Sequence, residues 1–153
     1  MSAPVKRPWG SFRVVGEWSG TITVKVLRVE PRSRLSLQKH LHRREEWLCL
    51  SGSAEVQVGR RTFRMKVGDW AKVQKNQLHR IYSEGGAEIL EVSVGKFSED
   101  DIIRMEDDYG RAGKGPIPPR RPWPARRTRP SSQDLPSRDR RRSEAAGPHP
   151  PAS

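Results

Sequence analysis

The chain has 153 residues, 33% of them hydrophobic and 31% charged, with a formal net charge of +12. That length suits one domain. One cysteine excludes an internal disulfide, and the longest apolar runs fall short of the ~18 residues of a membrane span.

Charge is unevenly spread. Residues 1–111 hold 20 Lys/Arg against 15 Asp/Glu, whereas residues 112–153 hold 10 against 3 and carry 10 of the 13 prolines. The second stretch has only Ile117, Trp123 and Leu135 as large apolar residues. It has too little apolar surface to offset its ordering entropy. The composition predicts a folded domain over residues 1–111 and a disordered, basic Pro/Arg-rich tail over 112–153. Any contact with nucleic acid is expected of the tail alone. The N-terminus MSAPVKRPWG lacks the apolar core of a secretion signal, so the expected location is cytoplasmic.

In chain order, short alternating segments dominate. They are Ser11–Val15, Thr21–Val29, Leu35–Leu41, Glu46–Leu50, Ala54–Val58, Thr62–Met65, Trp70–Val73, His79–Tyr82 and Glu88–Val94, with Gly and Ser between them. Such spacing predicts an all-β sandwich, barrel or jelly roll. In Thr21–Val29, Thr23 and Lys25 share one face. After the strands, Ser98 followed by Asp101 resembles a capping box, and a short helix is expected through Ile102, Ile103 and Met105. Cys49 sits among apolar neighbours and reads as a buried, inert thiol.

The chemistry concentrates in two stretches. In SLQKHLHRREEW, Gln38, His40 and His42 alternate and would project from one strand face, with Glu45 just beyond. The second stretch supplies His79. Histidine, carboxylate and amide donors converging from two strands suit a divalent transition metal. On residue types alone the candidate ligands are Gln38, His40, His42, Glu45 and His79, and a set of His40, His42 and His79 with Glu45 or Glu46 is open.

The spacing Gln38-x-His40, four residues, Glu45, six residues, Gly52 is similar to the first cupin motif with Gln in place of its first His. Gly68 and His79 fall in register with the second cupin motif, where Gln74, Asn76 and Ser83 replace the usual Pro, Gly and Asn. Arg7-Pro8-Trp9-Gly10, residues 36–47, His79-Arg80 and residues 99–111 together resemble type II mannose-6-phosphate isomerases over residues 6–111. That family commonly has His where this chain has Glu46.

The resemblance implies a cupin double-stranded β-helix that interconverts mannose 6-phosphate and fructose 6-phosphate through an enediol. It implies a divalent metal, zinc foremost with Mn, Co or Fe as alternatives, on Gln38, His40, Glu45 and His79. A sugar phosphate is then the expected partner, and a homodimer the expected assembly. Candidate bases are Lys25, His42 and Glu91. Lys25 also reads as a solvated strand lysine and Glu91 as an ion-pair partner. Phosphate would be held by Arg43, Arg80 or Arg104, and Ser36 shares parity with Gln38 for a sugar hydroxyl. The tryptophans are expected as core or rim packing. The alternative is a differently specific sugar-phosphate epimerase, or a non-catalytic sugar- or metal-binding cupin.

Overall fold

The computed structural model describes residues 2–96 and 98–111. Its strands are β1 (Val5–Arg7), β2 (Gly10–Trp18), β3 (Ile22–Val29), β4 (Ser33–Arg34), β5 (Leu37–Lys39), β6 (Arg43–Val58), β7 (Arg61–Lys66), β8 (Trp70–Val73), β9 (His79–Ser83), β10 (Ala87–Gly95) and β11 (Ile103–Glu106). All pairings are antiparallel. The order is β1-β2-β3-β10-β6-β9-β5-β11, with β4 on β9 and β7 and β8 on β6. This is the cupin double-stranded β-helix that the resemblance implies, within the all-β class that the strand spacing predicts.

The 16-residue β6 belongs to both halves of the curled sheet. Its first half pairs with β10 and β8, and its second with β7 and β9. Two separate strands were expected here. The Ser51-Gly52-Ser53 signal instead marks a bend within one strand. Gly52 has φ +69°, and a Cβ there would lie 2.2 Å from the Gly86 carbonyl oxygen. Only glycine meets both demands.

Strand alternation sorts the interior into two halves. Leu27 and Val29 on β3, Trp47 and Cys49 on β6, and Ile89 on β10 join Val56, Met65, Val73 and Ile81 in an apolar core. Further along the same three strands the inward residues turn polar. Lys25 and Thr23, Glu45 and Arg43, and Glu91 and Ser93 are all buried. The change occurs in register, because Glu91 lies opposite Lys25 and Trp47, and Ser93 lies opposite Glu45 and Thr23. One end of the barrel is therefore packed and the other end is chemically equipped.

The expected C-terminal helix is corrected. Ser98 does cap, its Oγ accepting from the Asp100 amide at 3.2 Å, but only a 3₁₀ turn forms over Glu99–Asp101. The chain then extends as β11 and pairs with β5. β5 would otherwise be an open edge, and the ladder it offers outweighs the weak local helix preference of Ile102 and Ile103. The predicted tail lies outside the described residues. Among the described residues no helix is long and apolar enough to cross a membrane.

Candidate metal centre and adjoining pocket

His40 follows the end of β5, Glu45 lies on β6 and His79 opens β9. All three are at least 98% buried. His40 Nε2 is 3.0 Å from Glu45 Oε1 and 3.2 Å from His79 Nε2, and His79 Nε2 is 3.6 Å from Glu45 Oε2. A tetrahedral ion with bonds of roughly 2.0–2.1 Å needs donor atoms roughly 3.3 Å apart, which these distances bracket.

The histidines are aimed by their other ring nitrogens. His40 Nδ1 faces the Asp101 carbonyl at 3.2 Å, and His79 Nδ1 faces the Gln77 carbonyl at 2.8 Å. A carbonyl only accepts, so each Nδ1 carries a proton and each ring turns its Nε2 toward Glu45 and the other imidazole. Two imidazole nitrogens and a carboxylate converging on one point form a donor set close enough to hold a metal ion. The donor set fits a divalent metal on this observation.

The surroundings sharpen the fit. Burial pushes the His79 imidazole below its usual pKa despite the neighbouring Glu45 carboxylate, which favours the neutral ring that a metal ion would need. Burial opposes ionisation of Glu45, but His40, His79 and Arg43 together hold its carboxyl well below the usual range. Trp47 Nε1 donates to Glu45 Oε2 at 3.2 Å and its ring meets His79 edge-on. Asp101 brackets His40. Its backbone carbonyl holds the ring while its carboxylate accepts from the Leu41 and His42 amides at 3.0 and 3.3 Å.

The loop before His79 is tied to the His40 backbone through Asn76. Asn76 takes φ +59°, a conformation that Asn tolerates better than most residues, and its amide donates to the His40 carbonyl at 2.6 Å. Glu46, where the family commonly has His, points outward, with its carboxylate 3.9 Å from Lys72.

A pocket opens beside the cluster, walled by Trp9, Lys25, Ser36, Gln38, Glu91, Arg104 and others. Arg43 belongs to both places. It lines the pocket while its Nε donates to Glu45 Oε1 at 3.0 Å and its Nη2 lies 3.2 Å from His40 Nε2. Gln38 reaches the pocket with its Oε1 accepting from Ser36 Oγ at 2.7 Å.

Lys25 is not the solvated lysine that the sequence also allowed. Its Nζ is buried 3.6 Å from Glu91 Oε1 and 5.0 Å from the Phe12 ring centre. Burial and the Glu45 charge raise the Glu91 pKa, with Lys25 opposing.

Two expectations are corrected. His42 does not share a face with Gln38 and His40, because β5 stops at Lys39 and His42 lies exposed in the following turn. Arg80 does not line the pocket. It is buried against β11, its guanidinium bonded to the Glu106 carboxylate and carbonyl at 3.3 and 3.2 Å. Conversely, Arg7 and Arg111 line the pocket although no role was assigned to them. Arg111 is held there by a two-pronged bond to Asp107 at 3.1 and 2.7 Å.

Residues 1–107 match the family described as mannose-6-phosphate isomerase, C-terminal. The chain belongs to that family. It is 41% identical over 113 residues to the alginate biosynthesis protein AlgA of Pseudomonas aeruginosa, covering 72% of this chain and 23% of the relative. It is 37% identical over 110 residues to the xanthan biosynthesis protein XanB of Xanthomonas campestris, covering 70% and 23%. The chain thus spans less than a quarter of these relatives. Among solved structures, KdgF from Halomonas sp. superposes with TM-score 0.58 at 11% identity, over 65% of this chain and 90% of that one. The oxalate decarboxylase formate complex of Lactobacillus farciminis gives 0.57 at 21%, over 67% and 33%. At such identities these two establish the fold alone.

Proposed function

We propose that the chain is a metal-dependent isomerase that interconverts mannose 6-phosphate and fructose 6-phosphate. The observation that carries this reading is the joining, through Arg43, of a buried His40–Glu45–His79 cluster to a pocket walled by a buried Lys25–Glu91 pair.

The reaction transfers a proton between C1 and C2 of the open-chain sugar, so it needs a base, charge stabilisation at the two oxygens and a phosphate anchor. A divalent ion on His40, Glu45 and His79, with Gln38 as fourth donor, supplies Lewis-acid polarisation of sugar oxygens when bound. A mixed imidazole and carboxylate set is one that zinc takes, and iron takes the same set. Glu91 takes the carbon-bound proton. Its raised pKa brings it toward the working pH, where a carboxylate is a more effective base. Lys25, across the strand pair, steadies the ionised form and supplies a proton donor at the sugar oxygens. Ser36 fixes the Gln38 amide. Arg104 on β11 presents its guanidinium to the phosphate, with Arg7, which lines the same pocket, and with the Arg111 Nη1 that the two-pronged Asp107 bond leaves over. By this reading the protein acts in the cytoplasm, and its product serves GDP-mannose and polysaccharide synthesis.

The test is the rate of conversion between the two sugar phosphates by metal-loaded protein, with a chelated control, His79→Ala and Glu91→Gln. Turnover that requires the metal, His79 and Glu91 supports the reading. Absence of turnover with one equivalent of metal bound overturns it in favour of another sugar phosphate or a binding role.

A further inference from the structure

A single aromatic ring touches two cations of the pocket. Phe12 on β2 pairs with Val5 on β1 and with Leu27 on β3, so the three share one face of the sheet. Arg7 and Lys25 each stand two residues along from those partners. Both are therefore diagonal neighbours of Phe12, within reach of long and aromatic side chains. They lie on opposite sides of it along the strands, because Arg7 pairs with Gly10 and Lys25 with Val14. The side chains close the gap. Arg7 Cζ and Lys25 Nζ are each 5.0 Å from the Phe12 ring centre. All three residues line the pocket, and the row runs on through Lys25 to Glu91 on β10. Phe12 is half-buried and packs against the apolar core, which anchors the ring. Leucine would fill that part of the core equally well and would hold neither cation.

We propose that Phe12 is a positioning residue whose ring holds Lys25 and Arg7 at a spacing that suits an open-chain hexose 6-phosphate, and so selects substrates by length. The inference rests on the isomerase reading, in which Lys25 serves the sugar oxygens and Arg7 the phosphate. The negative face of the ring attracts each cation, and its bulk stands between the two diagonals. The cations lie at most about 10 Å from each other, twice the distance to the shared ring centre. From C2 of an open-chain hexose to the phosphorus of its 6-phosphate are six single bonds, which span roughly 7–9 Å at ~1.5 Å each in a staggered chain. That span falls within the reach of the pair, and a pentose 5-phosphate is one bond shorter. Holding two long side chains in place before the substrate arrives also lowers the ordering cost of binding.

The test is calorimetric binding of mannitol 6-phosphate, an open-chain analogue that cannot isomerise, and of arabinitol 5-phosphate, which is one carbon shorter. The wild type is expected to prefer the longer ligand about tenfold or more. Phe12→Leu removes the ring, whereas pentafluorophenylalanine at position 12 keeps its shape and reverses its quadrupole. Both are expected to weaken mannitol 6-phosphate about tenfold and to erase most of the length preference, and Phe12→Tyr is expected to retain both properties. Metal uptake and far-UV circular dichroism verify the fold of each variant, and the fluorinated protein decides the matter if Phe12→Leu does not fold. A fluorinated ring that binds like the wild type overturns the inference, because the ring then acts by shape alone. So does a length preference that survives Phe12→Leu. A wild type that isomerises mannose 6-phosphate while every variant matches it overturns this inference and leaves the isomerase reading standing. A wild type that neither isomerises the sugar phosphate nor binds the polyol phosphates overturns both.

Discussion

Replacing Lys25 by Met isolates the energetics of the equipped end of the barrel. The Lys25 and Glu91 charges lie 3.6 Å apart with side chains 6% and 9% exposed. At an effective dielectric near 20 they attract by ~5 kcal/mol. Burying each ion costs several kcal/mol, so the pair as a whole contributes little net stability. Removing one partner is different, because it strands a buried carboxylate and should cost about 3–5 kcal/mol. The cost should also depend on pH. The folded Glu91 pKa is already raised above the unfolded value, and losing the ammonium raises it further. Stability tied to a raised carboxyl pKa is present below the unfolded value, near 4.3, and is lost as pH climbs through the folded one. The deficit of Lys25→Met should therefore be small near pH 4 and grow by up to ~1.4 kcal/mol per unit before reaching a plateau. Lys25→Met combined with Glu91→Met should recover most of the loss. Urea denaturation of chelated protein over about pH 4–9 measures all three. A deficit below ~1 kcal/mol that does not vary with pH would refute the argument, since Glu91 would then be solvated or otherwise compensated.

Gly52→Ala should destabilise by ~2 kcal/mol or more, from positive φ and the approach to Gly86, seen as a lower denaturation midpoint with unchanged slope. Asp101→Ala removes the carboxylate that fixes the Leu41 and His42 amides beside His40, and should weaken metal affinity about 10–100-fold in a chelator competition. Acid should destabilise the chelated protein through His79. Its folded pKa is depressed, so its contribution is intact above the unfolded value near 6.5 and lost as pH falls below it, and His79→Phe should flatten that limb of the stability profile. Arg111→Ala should raise KM for a phosphorylated sugar more than it lowers kcat, measured in the isomerase assay.

Much of the fold was legible because strand signals are local. Trp70–Val73 was bounded correctly by alternation alone, and β3 to within one residue. The sequence cannot say where a strand stops when its parity continues. His42 kept the alternation of Gln38 and His40 on paper, yet the strand ended first. The helix after Ser98 failed for a non-local reason, the open edge of β5. Lys25 looked like a solvated residue because nothing in TITVKVLRV marks which parity faces inward. In the register of β3 with β10, the apolar parity lost and the charged one won. Asp101 escaped notice as a support for His40 because its partners lie about 60 residues away.

β6 carries Glu45 and Trp47 in one half-sheet and Val56 and Val58 in the other, paired along its length to four neighbouring strands. Such a strand cannot peel away from one half while remaining in the other without releasing Glu45 as well. Partial openings should therefore be confined to the rim, at β1, β4 and β11. The amides of β6 should exchange with solvent only through global unfolding, so that residence of a metal ion and survival of the whole fold become one cooperative event.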